Sequence, residues 1–208
     1  NNLMNNSGKD NTLNVTLEDV NIKVDDNVNK AALSVEGEGD TTITLKGDNT
    51  LTSGGKHAGL EHNEKSDGGA TTGKLTITSG NKNGSNTGSL KATGGSGAAG
   101  IGSSNGKGTG TIEITGGTIE AVGGSDAAGI GSGYNSNGTT TIDIGGDAIV
   151  KAQGGSDGAG IGSGSVATGN TNITISGGTI EEAVGGSTGD GIGGGNSSRN
   201  ITVRIQGG

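Results

Sequence analysis

The phrase GGSDAAGIGSG, Gly123 to Gly133, constrains this chain most, because it is said four times. It recurs as GGSGAAGIGSS from Gly94, GGSDGAGIGSG from Gly154 and GGSTGDGIGGG from Gly185. The Gly-Gly pairs at 94, 123, 154 and 185 step by 29, 31 and 31 residues, and Ile101, Ile130, Ile161 and Ile192 follow in step. A fixed period of this length marks a solenoid, in which each repeat buries its apolar side only against its neighbours. Looser copies of the cycle lie upstream in TITLKG from Thr42, TSGGKHAGLEH from Thr52, KLTITSG from Lys74 and SLKATGG from Ser89. LNVTLEDVNIKV and AALSVEG read as an earlier turn, so about six and a half cycles of about 30 to 37 residues span most of the chain.

Within one cycle, Ile112 and Ile114 alternate with Thr111, Glu113 and Thr115, the period of two of a half-buried strand. A Gly-Gly pair follows, then Ile119 and Ala121 alternate with Thr118 and Glu120, then a second pair and the short AGIG segment. Three short strands with glycine corners make one rung. Stacking at ~4.8 Å per rung turns these strands into three parallel sheets. The expected fold is therefore all-β, a single right-handed parallel β-helix, the handedness following the rule for parallel crossovers. Residues 1–11 read as a flexible N-terminal segment and 12–208 as the solenoid domain.

Composition agrees. The 208 residues include 49 Gly, no Pro, no Cys, no Trp, no Phe and one Tyr, which excludes an aromatic-filled core, disulfides and thiolate metal sites. Collagen needs glycine at every third position with abundant proline, and neither is present. The net charge of -8 and the lack of any Lys/Arg run argue against nucleic acid as a partner. No apolar run reaches membrane-spanning length, so no membrane insertion is expected, and NNLMNNSGKDN has neither region of a signal peptide.

The alignment makes predictions about outward positions. Lys91, Glu120, Lys151 and Glu182 fall on one ladder with alternating sign. The two Gly-Gly pairs of successive rungs enclose five, seven and six residues, which predicts bulges near Asp147 to Gln153 and near Glu181. Asp126 with Asp157, and Glu113 with Asp143, stack like charges; a Ca²⁺ ion between them is the metal reading, and carboxylates splayed into water are the alternative. No cofactor is required by this reading. In KHAGLEHNE, His57 and His62 are five residues apart, so in an extended segment their imidazoles point to opposite faces of a surface turn. The glycine phrases are not phosphate loops, since no GxxxxGK[ST] exists.

Function is weighed on the same ladders. A polysaccharide lyase would need carboxylates and a base together, but Thr76, Glu113, Asp143, Thr174 and Arg204 set Arg204 two rungs from Asp143. The mixed charges also break the flat threonine array of an ice-binding face. Nucleophilic catalysis has no case, with no Cys and no nucleophile elbow.

The phrases GTIEITGGTIEAVGGSDAAGIGSG and TNITISGGTIEEAVGG resemble bacterial surface and secreted proteins described as carbohydrate-binding-domain-containing, parallel β-helices with AGIGGG repeats and pectate-lyase-like architecture. The resemblance covers about residues 12 to 206. It implies an extracellular, cell-surface module that binds polysaccharide or cell-wall glycan without catalysis, sometimes with calcium. This chain departs in offering a single aromatic ring, so glycan contact falls on Tyr134 in YNSNG and on carboxylates such as Asp126 and Asp157. The competing expectation is a fibre subunit that stacks on copies of itself through an open edge at Ile201, Val203 and Ile205; a chain cut in mid-repeat would look the same.

Overall fold

A computed structural model describes residues 1–8, 10–64, 72–80 and 88–206. Among them no helix forms, so none is long and apolar enough to cross a membrane. Twenty strands fall into two seven-stranded sheets and one six-stranded sheet, and each strand pairs in parallel with the strand three places along the chain. The first sheet holds short strands such as Ile101–Gly102, Ile130–Gly131 and Ile161–Gly162. The second holds Gly110–Ile114 and Thr140–Ile144, and the third Thr118–Val122 and Ile149–Gln153. This is the three-stranded rung read from the repeat, stacked about six times.

The register follows the alternation residue by residue. Leu33, Leu60, Ile101, Ile130, Ile161 and Ile192 form one inward column. Leu75, Ile112, Ile142 and Ile173 form a second from the next sheet. From the third sheet come Leu51, Ala92, Ala121, Ala152 and Ala183. Branched aliphatics on two walls, and on the third this mostly alanine column beside a column of Leu90, Ile119 and Val150, fill a core too narrow for aromatic rings, and nearly all of these residues are buried.

Two glycine columns have different causes. Gly102, Gly131, Gly162 and Gly193 sit at φ of 139°, 132°, 141° and 147°, and a Cβ on Gly131 would strike the carbonyl of Gly162. Gly124, Gly155 and Gly186 have ordinary φ; there the carbonyl of the glycine one rung below occupies the space a Cβ would need. Close stacking rather than backbone conformation selects glycine at these corners.

Two expectations change and one holds. The solenoid starts before residue 12: Asn2–Met4 is a strand paired with Leu33–Glu36, and the buried Asn5 donates from Nδ2 to the carbonyls of Asn11 (2.9 Å) and Asp40 (2.7 Å). Residues 1–11 therefore contribute to the first rung, Lys9 lying outside the described residues. The bulge at Glu181 is present, between the pairs Val150↔Ile180 and Lys151↔Glu182. The one expected in 147–153 is absent, because the strand Ile149–Gln153 pairs with Thr118–Val122 without interruption and its extra residues sit in the turn before it.

Candidate functional site

The second sheet presents an outward ladder of Asn14, Thr42, Thr76, Glu113, Asp143, Thr174 and Arg204, in register through all seven strands. Beside it Thr16, Thr44 and Thr78 form a second column. Glu113 and Asp143 are direct neighbours, as the repeat predicts, and the nearby cation is a side chain: Lys74 Nζ lies 2.6 Å from Glu113 Oε2, while Thr76 donates to the same oxygen at 3.2 Å. The hydrogen bond to Glu113, aided by the charges of Glu113, Asp40 and Asp143, raises the Lys74 pKa above 10.5. One of the two like charges is thereby balanced from within the chain.

On the third sheet Lys91, Glu120, Lys151 and Glu182 occupy one ladder. Lys91 Nζ pairs with Glu120 at 2.6 Å. Lys151 pairs with the bulged Glu181 at 3.3 Å instead of Glu182.

Asp126 and Asp157 lie at successive corners, Asp126 with φ of 62°. Asp157 accepts from the Thr188 hydroxyl at 2.7 Å. Among the described residues no three His, Asp or Glu side chains gather as a metal set. Tyr134 is in a turn whose amide donates to Gly97 (2.9 Å) and whose carbonyl accepts from Gly106 (2.8 Å). Ile201, Val203 and Ile205 belong to the strand Ile201–Ile205, paired with Thr171–Ile175, and Ile205 is 67% exposed.

The histidine segment departs most from its expected surface turn. The two rings do face opposite ways, but His62 points inward and is buried. Its Nδ1 lies 2.7 Å from the Thr109 carbonyl and its Nε2 2.9 Å from the Gly73 carbonyl. Burial pulls its pKa below 6.5, against the two carbonyls and the charge of Asp40, which push upward. His57 Nδ1 lies 2.8 Å from Glu61 Oε2. Glu61, 5% exposed, also accepts from the Ala58 amide and from Asn63 Nδ2, each at 3.0 Å. Glu64 Oε2 accepts from the Thr139 amide, and the carboxylate reaches it between Gly108 and Gly138.

His57 and Glu61 border a groove of about 410 Å³ on the first sheet, lined also by Asn2, Lys30, Ser34 and Glu36, among others. Asn2, Ser34 and Glu61 are register partners, and the same column continues as Gly102, Gly131, Gly162 and Gly193. The signal was available in the sequence: aligned on the apolar residue, LEH of one rung stands where IGS stands at Ile101, Ile130 and Ile161.

Residues 112–134 and 173–196 match the family model described as beta helix repeat. Each matched segment runs from the second-sheet strand to the corner beyond the first-sheet strand. These two segments are similar to that repeat, and the parallel stack above has the β-helix fold. Comparison with curated proteins and with solved structures found no match.

Proposed function

We propose that this chain is a non-catalytic, extracellular module of a bacterial surface that adheres to polysaccharide along its outer faces. The observation that supports it best is the unbroken outward ladder from Asn14 to Arg204. Hydroxyl, amide and charged groups recur there at ~4.8 Å along the solenoid axis. Two rungs approach the length of an extended disaccharide, so one glycan chain meets a polar group at every rung, and weak contacts sum. The sequence resemblance to carbohydrate-binding β-helices supports the same reading. A lyase is not favoured: Thr174 separates Asp143 from Arg204 on the ladder.

The test is co-sedimentation of the chain with insoluble polysaccharides, including purified bacterial cell-wall glycan. Retention that falls when Thr42 and Thr76 are changed to Glu is expected. Equal loss to the supernatant with every polysaccharide would overturn the proposal.

A further inference from the structure

The rung that carries the histidines breaks the repeat in a concerted way. Everywhere above it, the outward column of the first sheet is glycine, and at Gly102, Gly131 and Gly162 a side chain would strike the carbonyl of the next rung. In the three lowest rungs that column is Asn2, Ser34 and Glu61, and the groove lies over them. Repeat proteins keep what the stack requires; a coordinated departure that buries a carboxylate needs a further reason. Glu61 is anchored by the Ala58 amide and by Asn63, and its remaining contact is the His57 ring. A carboxylate bonded to Nδ1 fixes the proton on that nitrogen and leaves Nε2 as an acceptor. Among the described residues Nε2 of His57 has no partner, and the ring is partly exposed.

We infer that this groove binds one sugar residue without an acidic group through its hydroxyls, with His57 Nε2 and Glu36 as acceptors, Lys30 as donor and Glu61 as the residue that positions His57. The inference rests on the polysaccharide reading above and names the site. Size and chemistry select the ligand. About 410 Å³ has room for one or two pyranose rings. The lining has no Phe, Tyr or Trp and no large aliphatic side chain, so an apolar ligand gains little there. Glu36 and Glu61 outnumber Lys30 and oppose an acidic sugar in a chain of net charge -8. Neighbouring hydroxyls, each both donor and acceptor, match a set of two acceptors and one donor.

The experiment is a titration of the full chain by amide and imidazole NMR with glucose, N-acetylglucosamine, galactose, glucosamine and galacturonic acid, alongside the polysaccharide co-sedimentation. Shifts at Lys30, Ser34, Glu36 and His57 with at least one of the four sugars that lack a carboxylate, and none with galacturonic acid, are expected. Lys30→Ala combined with Glu36→Gln alters only exposed side chains and should weaken that binding at least tenfold. Glu61→Gln should weaken it too and should also abolish the single Nδ1–H tautomer in the His57 ¹⁵N signals, which loss of packing alone would not do. Sugar shifts elsewhere, or unchanged affinity in the double variant, overturn the groove. If polysaccharide is still retained in that case, the adhesive reading stands without it. Groove shifts without retention of any polysaccharide would sink the adhesive reading and keep the groove.

Discussion

Lys151 pairs with Glu181, its ammonium 3.3 Å from the carboxylate, although Glu182 is its register partner. The inserted residue thus takes over the charge contact as it bends the strand. Both partners are about half exposed, so the pair contributes little: Glu181→Gln is expected to change unfolding free energy by no more than about 0.5 kcal/mol. Deleting Glu181 should restore an uninterrupted ladder with Glu182 opposite Lys151 and leave the circular dichroism spectrum unchanged. Loss of the β-spectrum on deletion would show that the bulge is needed for the fold.

Glycines of different kinds should respond differently. Gly131→Ala puts a methyl group at φ of 132° and into the Gly162 carbonyl, and should cost about 3 kcal/mol or more. At Gly106, φ is 78° but nothing lies within 4 Å of a new Cβ, so Ala there should cost only about 1–2 kcal/mol. Urea denaturation of the two variants separates steric from conformational cost; equal losses would refute the distinction.

Thr41 carries the one buried side-chain oxygen without a hydrogen bond among the described residues. Its register partners are Leu13 and Leu75, both apolar. Thr41→Val removes an unsatisfied hydroxyl and should raise stability by about 1 kcal/mol. A drop in the urea midpoint would show instead that the hydroxyl is satisfied in solution.

His62 gives the solenoid an acid-sensitive rung. Its folded pKa lies below 6.5, chiefly because the ring is buried, so the unfolded chain binds the proton more readily. The stabilisation is complete above about pH 6.5 and is lost as pH falls, with a slope of at most about 1.4 kcal/mol per pH unit from this one site. The melting temperature measured between pH 7 and pH 5 should fall, and His62→Gln should flatten that dependence. An unchanged slope in the variant would assign the sensitivity elsewhere.

Lys74 balances one of the two charges at Glu113 and Asp143. Lys74→Met leaves two adjacent carboxylates without it and should lower the melting temperature at low salt, with recovery on adding salt or Ca²⁺. Its elevated pKa means the contribution is present below about pH 10.5 and disappears as pH rises through the folded value. A variant indifferent to ionic strength would remove Lys74 from this role.

The rungs were legible in the sequence because alternation at Ile112–Ile114 and the steps between Gly-Gly pairs encode register directly, and the ladder from Lys91 to Glu182 followed from them. The site was less legible. That His62 is buried depends on Gly73 and Thr109, contributed by neighbouring rungs, and no local pattern announces those carbonyls. Lys74 sits one residue before its strand and reaches Glu113 in the next rung, a contact that counting along either segment does not show. The two extra residues before Ile149 were counted correctly but misplaced, because a turn absorbs insertions at less cost than a paired strand.

The uninterrupted pairing of each strand with the strand three places along has an evolutionary consequence. A rung contacts its two neighbours and little else, so stability accrues along a line, one interface at a time. Duplication or loss of a 31-residue unit in the upper rungs, where Gly131, Gly162 and Gly193 repeat the same geometry, changes the length of the rod without requiring a new interior. The histidine rung has no duplicate in the chain, and so it gives an otherwise interchangeable stack a fixed landmark.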